Sequence, residues 1–350
     1  MTQNLVINKN NIPKIKIPIW FMRQAGRYHA HYQKIRSKYG FMEMCKDENL
    51  ACEITMGPIE DFDFDSAILF SDLLFPLEHL GMGLDYDLGP PKLQHHFTKD
   101  NSRFFDEDKS ICDSIQYYQF QKKALEQIRK KLSPSKSLLG FVGSPWTLFT
   151  YAVDGGHSGS LHDPKRGLVD GRWEKFLQAL IPSLTTSMQL QVDGGADTIC
   201  LFDTAAGELS SIDYGEHVAP ILNNLLKKFT LKNPNIKITY YSKMTNPHHL
   251  SFLDFTNITT LGVDWRMPIE TYLNHVPANV FLQGNIDPSW LHLPTEFLTI
   301  KLQKWMNHLT NIQFPFHRWI AGLGHGVTPG TPEINVRKTI EIIRNWPISS

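Results

Sequence analysis

The chain has 350 residues, 41% of them hydrophobic, enough to bury a full core as one large domain. Its 35 basic side chains are matched by 35 acidic ones, so the overall basic field of a nucleic-acid-binding protein is absent and any anionic ligand must be met by locally placed cations. No run approaches the roughly eighteen consecutive apolar residues of a membrane span, and the opening residues carry neither a signal core nor a transit pattern, so a cytoplasmic protein is expected. Cys45, Cys52, Cys112 and Cys200 are scattered with no C-x-x-C pair and are expected to be free thiols in a reducing compartment.

Eight short apolar runs recur along the chain. In order they are Ile19 to Met22, Ala67 to Phe70, Leu138 to Val142, Thr198 to Phe202, Ile238 to Tyr241, Thr260 to Val263, Val280 to Leu282 and Arg318 to Ala321. Runs without alternation suit parallel strands buried on both faces, and the intervening segments are long enough for crossover helices. The stretch from Trp173 to Val192, with apolar residues three and four apart, reads as one of these helices. Eight such units predict a single (β/α)8 TIM barrel spanning residues 1–350, with 1–14 as a flexible N-terminus; an open doubly wound sheet is the competing architecture.

Each run is followed by polar or glycine-containing sequence, as required where barrel active sites form from the loops at the carboxyl ends of the strands. Arg23-Gln24-Ala25-Gly26-Arg27 follows the first run, Ser71-Asp72 the second, Gly143-Ser144-Pro145-Trp146 the third and Asp203-Thr204 the fourth. Ser242-Lys243, Asp264-Trp265, Gly284-Asn285-Ile286-Asp287 and Gly324-His325-Gly326 follow the others. The loop Gly155-Gly156-His157-Ser158-Gly159 is placed to cover the site.

Arg23 and Arg27 flank a glycine, so two guanidinium forks can converge on carboxylates, with Arg36 as a third; salt bridges within the protein are the alternative use of such a pair. Asp72, at the rim, either caps the next helix or faces the mouth, where it would accept hydrogen bonds and stabilise a positive charge developing on a ligand. Tyr151 and Thr204 offer hydroxyls, and Phe202 and Trp146 offer faces for a flat ring, though each is also an ordinary barrel residue. His325, between two glycines, has few packing neighbours to make it a core histidine. Among fifteen histidines, the adjacent pairs His95-His96 and His248-His249 diverge and lie at no ligand spacing from a cysteine, so no metal is expected.

Met22 to Tyr28, Phe70-Ser71-Asp72-Leu73-Leu74, Gly143 to Leu148, Leu282 to Pro288 and Leu323-Gly324-His325-Gly326 together resemble the uroporphyrinogen decarboxylase family, over roughly Ile15 to Ile343. The resemblance implies a (β/α)8 barrel, usually a homodimer, that decarboxylates the four acetate side chains of uroporphyrinogen III to give coproporphyrinogen III in haem biosynthesis without a cofactor. It implies that Arg23, Gln24, Ala25, Gly26 and Arg27 bind substrate carboxylates. Asp72 would accept from the pyrrole N–H groups and stabilise a cationic intermediate, with Arg23 and Arg27 also in the catalytic group. Tyr151, Thr204 and His325 match the family's other substrate-binding positions. Two departures stand out. His29-Ala30-His31 replaces the common Leu-Pro-Glu, removing an acidic brace, and Ala205 stands where Trp or His is frequent, which should loosen contacts near Thr204. A zinc-dependent corrinoid or thiol methyltransferase on the same barrel and a non-catalytic tetrapyrrole-binding protein are the alternatives.

Overall fold

The computed structural model describes residues 16–86, 91–98 and 111–348; the expected flexible N-terminus lies outside them. Seven parallel strands form the main sheet: β1 (Ser66–Ile68), β4 (Ser137–Gly143), β5 (Thr198–Asp203), β6 (Lys237–Ser242), β7 (Thr260–Gly262), β8 (Phe281–Ile286) and β9 (Trp319–Leu323), neighbours in that order. The short strands β2 (Leu84–Asp85) and β3 (Lys92–Leu93) pair separately as an antiparallel hairpin.

The first apolar run takes the eighth place. Ile19 bridges Ala321 in parallel, Ala321 N–H donates to Pro18 at 2.8 Å, and on the other side Asp65 N–H donates to Ile19 at 2.9 Å, ahead of β1. Pro18 to Met22 therefore closes the sheet between β9 and β1, which makes a barrel and removes the open doubly wound alternative. The run forms a single bridge rather than a full strand.

Side-chain alternation sorts the runs into two layers. Ile199 and Leu201 of β5 point outward into the shell between sheet and helices, whereas Cys200 and Phe202 point inward to join Trp20, Met22, Ile68, Leu139, Phe141 and Tyr241 inside the barrel. Because both faces are covered, the strands read as continuous apolar runs. The predicted long helix spans Arg172–Asp193 and buries Trp173, Phe176, Leu180, Leu184 and Met188 against the sheet. Cys45, Cys52 and Cys200 are free and buried; the side chain of Cys112 lies outside the described part. Among the described residues no helix is long and apolar enough to cross a membrane.

Register fixes which residues leave the sheet together. Asp203 of β5 pairs with Ser242 of β6, so Thr204 and Lys243 emerge side by side, while Ile286 pairs with Leu323 just ahead of His325.

Candidate active site

All the mouth loops issue from the carboxyl ends of the strands, as a parallel barrel requires. The first holds Arg23 in the left-handed region, φ 60°, a conformation that costs a non-glycine residue roughly 1–2 kcal/mol and is retained where surroundings impose it. The stem of Arg23 lies over Gly326 so closely that a Cβ there would sit 2.5 Å from Arg23 Cδ. Gly326→Ala should displace the guanidinium and raise KM ~10-fold with little loss of thermal stability; an unchanged KM would show that Arg23 does not need this seat.

Arg23 and Arg27 are exposed, and neither side chain has an ion pair or hydrogen bond among the described residues, so both are available to a ligand. The backbone N–H groups of Ala25, Gly26 and Arg27 are likewise unpartnered among the described residues, leaving consecutive donors that suit an anion. Gln24 is placed differently. Its side chain is buried, accepting from Phe21 N–H at 3.2 Å and donating to Ser66 carbonyl at 2.9 Å, so it braces the loop against β1. Arg36 donates to Tyr39 carbonyl at 2.9 Å at the end of its own helix, so it adds no third fork to the mouth.

The missing acidic brace is supplied from the far end of the chain. Ala30 N–H donates to Glu333 at 2.7 Å, and His29, fully buried, contacts Asp61 at 2.6 Å.

Asp72 takes the first of the two roles considered for it. One oxygen accepts Leu74 N–H at 2.8 Å and so shapes the turn into the helix Phe75–His79. Desolvation pushes its carboxyl above the usual range, opposed by the Tyr86 phenol, the Leu74 N–H and the Arg23 charge, with Glu78 adding a small upward push. Tyr86 is at the end of the β2 strand, and its buried hydroxyl makes no well-directed hydrogen bond among the described residues. It is the foremost of the groups that favour the ionised aspartate. A reaction that needs ionised Asp72 loses rate as pH falls through its pKa, and Tyr86→Phe removes a group that favours the ionised form. The acid limb of kcat/KM should therefore move to higher pH in Tyr86→Phe, whereas a limb moving down or staying in place would separate Tyr86 from Asp72.

Tyr151 stands on the helix Pro145–Asp154; its hydroxyl lies 2.7 Å from His157 Nδ1 with the two rings stacked. Burial and the Asp72 charge push its phenol up to about 12, so it remains protonated at neutral pH. The Gly155–Gly159 loop thus reaches the mouth through His157. The Thr204 hydroxyl has no hydrogen-bond partner among the described residues.

His325 Nδ1 accepts the Gly326 N–H at 2.6 Å, which assigns the ring's remaining proton to Nε2. Burial, followed by the charges of Arg23 and Lys243, pushes the ring down to about 3, so it is a neutral donor. Tyr241 donates to the Gly324 carbonyl at 2.7 Å and stands edge-on to His325, fixing this loop from across the barrel.

Asp203 stands in the sequence reading only as part of the polar stretch after the fourth run, with no role there. Fully buried, it accepts from Ser144 at 3.0 Å, Thr147 at 2.8 Å and Tyr240 at 2.9 Å, and Tyr240 is bonded in turn to Tyr214 at 2.8 Å. Thr147 also accepts Ala205 N–H at 3.1 Å, and the Trp146 indole donates to the Ala205 carbonyl at 3.0 Å. This network ties the Tyr151 helix to the Thr204 loop, so Ala205 does not loosen that region. It also removes Trp146 as a face for a ligand, since the side chain is wholly buried and serves packing, where such a residue contributes roughly 3–5 kcal/mol. Phe202 stays within the barrel interior. Among the described residues no three His, Cys, Asp or Glu side chains are gathered at metal-binding distance.

Two arginines without counter-ions and consecutive backbone donors without partners among the described residues, with a desolvated carboxylate at the same rim, define the class: a (β/α)8 barrel with a mouth suited to an anionic ligand. Residues 6–346 match the model of the family described as uroporphyrinogen decarboxylase. The chain belongs to the uroporphyrinogen decarboxylase family, and it is an enzyme of that decarboxylase class. It is 32% identical to the uroporphyrinogen decarboxylase of Vesicomyosocius okutanii, with 95% of each chain covered, and 33% identical to that of Pseudoalteromonas atlantica, covering 94% and 92%. The Myxococcus xanthus enzyme is 32% identical over 100% of this chain and 98% of its own. Among solved structures, a methyltransferase from Methanosarcina mazei superposes with a TM-score of 0.74 at 15% identity, covering 95% and 94%. A B12-independent methionine synthase from Shewanella sp. W3-18-1 gives 0.52 at 12%, covering 85% and 87%. At those identities the likeness is one of fold.

Proposed function

We propose that this chain, as one barrel domain, converts uroporphyrinogen III to coproporphyrinogen III by replacing its four acetate carboxyl groups with hydrogen. Family membership supports the reaction. The observation that carries the assignment of roles is the desolvated Asp72 carboxylate beside Arg23, at a mouth with unpaired cations.

Loss of carbon dioxide from a pyrrole acetate would leave an unstabilised carbanion, because the electron-rich ring cannot accept the electron pair. Protonation of the adjacent ring carbon turns the pyrrole into an iminium-like cation. That cation accepts the pair as the carboxylate departs, a second proton adds at the exocyclic carbon to complete the methyl group, and loss of the first proton from the ring carbon restores the pyrrole. The substrate is its own electron sink, so no cofactor has to supply one. Arg23, Arg27 and the Ala25–Arg27 amides hold carboxylates, with Thr204, His325 and Tyr151 as neutral donors around them. Asp72 accepts the pyrrole N–H groups, and its negative charge, poorly screened by water at the rim, is worth more toward the cation than in bulk solvent. A guanidinium, whose pKa exceeds about 12, is a poor acid, so the ring proton is better relayed through Asp72, water or a substrate carboxyl. The reaction belongs to haem biosynthesis in the cytoplasm, and a homodimer is the assembly that goes with the family reading.

The test is anaerobic incubation of chelator-treated protein with uroporphyrinogen III, with products separated by chromatography after oxidation. Accumulation of the tetracarboxylate is expected. Binding without conversion would point to a sequestering protein, and conversion restored only by added zinc would return the methyltransferase-type barrel to consideration.

A further inference from the structure

We propose that Lys243 and the Tyr151–His157 pair form a second carboxylate subsite, opposite Arg23 and Arg27, that takes one peripheral carboxylate of the substrate. This deepens the uroporphyrinogen reading and rests on it for the identity of the ligand. The barrel order places Pro18 to Met22 first and β6 fifth of eight, so the loops bearing Arg23 and Lys243 leave the ring on opposite sides. A macrocycle with carboxylates around its whole perimeter cannot be neutralised from one side alone, and a cation opposite the arginine pair answers that need.

Lys243 is a built feature. Its backbone carbonyl accepts Gly207 N–H at 3.1 Å and its N–H donates to Asp203 at 3.4 Å. The next residue, Met244, is held in the left-handed region at φ 62° by an N–H bond of 2.6 Å to Asp264. Gly207 is required for this docking, because a Cβ there would lie 2.4 Å from the Met244 carbonyl carbon. Imposed backbone strain of this kind, together with the bonds at Lys243 itself, fixes the backbone from which the Lys243 side chain leaves. The Lys243 side chain is half-buried yet makes no ion pair or hydrogen bond among the described residues. Asp264, the nearby acid, is already engaged by Arg266 at 2.7 Å.

Lys243, just past β6, leaves the sheet beside Thr204, whose loop is tied through Ala205 and Thr147 to the helix bearing Tyr151, the partner of His157; the charges of Lys243 and Arg23 both act on the His157 ring, and His157 acts on His325. Burial, then the Lys243 and Arg23 charges, hold the ring down to about 4, so at neutral pH it contributes a hydrogen bond and not a charge. The Tyr151–His157 bond uses one of the pair's two protons. In one tautomer the other proton is left on His157 Nε2, in the other on Tyr151 Oη. Either way, one donor remains beside an ammonium that has no counter-ion.

The experiment compares wild type with Lys243→Gln, Lys243→Arg and His157→Phe, measuring kcat and KM for uroporphyrinogen III and the anaerobic Kd of coproporphyrinogen III. Lys243→Gln should raise KM about tenfold with a smaller fall in kcat, Lys243→Arg should restore most of the loss, and His157→Phe should raise KM less. A weaker Kd for coproporphyrinogen in Lys243→Gln assigns the subsite to a propionate; a raised KM with that Kd unchanged assigns it to an acetate. KM within twofold of wild type in Lys243→Gln, or an Arg variant no better than Gln, overturns the proposal. If wild type shows no turnover, the function reading fails instead, and the Kd of uroporphyrinogen for wild type against Lys243→Gln still decides the subsite.

Discussion

Asp72→Asn is expected to lower kcat by about 10²–10³-fold, the loss that follows removal of one preorganised charge-stabilising group, while KM stays within a few-fold. The asparagine is nearly isosteric, and its carbonyl oxygen can still accept the Leu74 N–H, so the turn into the following helix survives. What disappears is the negative charge that the proposed mechanism sets against the pyrrole nitrogens. Desolvation makes that charge costly to keep in the resting enzyme, as the raised carboxyl indicates, and the same desolvation strengthens its attraction for a cation formed on the substrate. Steady-state kinetics on folded protein, checked by circular dichroism, are sufficient. An asparagine variant with kcat near that of wild type would end the electrostatic role assigned to Asp72.

Arg23→Ala should fail earlier, in binding. Its guanidinium makes no ion pair or hydrogen bond among the described residues, so truncation breaks no internal contact and most of the penalty falls on the ligand. A charge-assisted contact of this type is worth roughly 2–3 kcal/mol, or about 30- to 150-fold in KM. Arg23→Lys should recover only part of this, because an ammonium cannot reproduce the planar fork. Asp72 is also expected to titrate higher in Arg23→Ala, since the arginine favours its ionised form, and the acid limb of kcat/KM should then rise. Recovery of wild-type KM in Arg23→Lys would mean that charge alone matters at this position.

The barrel was legible because parallel strands covered on both faces announce themselves as apolar runs, and all eight runs lie in the sheet or its closing bridge. The hairpin carrying Tyr86 left no such mark. Strands of two residues have no period to detect, and a tyrosine among them is indistinguishable from a loop residue. Asp203 stood in plain view beside Thr204, but its burial depends on Ser144 and Thr147 from one stretch of chain and Tyr240 from another, far along it. Trp146 shows the converse failure. A tryptophan after a strand suggests a platform for a flat ligand, and only the packing reveals that it faces away from the mouth. Lys243 was visible after the fifth run and His157 in its glycine loop, but neither residue type nor spacing disclosed that the charge of one acts on the ring of the other.

The seat of Arg23 on Gly326 and the bond from Ala30 to Glu333, 303 residues away, join the beginning of the chain to its end. A ribosome-bound chain that has not yet delivered β9 therefore carries an open-edged sheet and a first loop without its supports, however much of the barrel has already formed. Competence to hold a polyanion arrives only with the final segment, so stop codons even slightly upstream of His325 should yield inactive, aggregation-prone fragments rather than weakened enzymes.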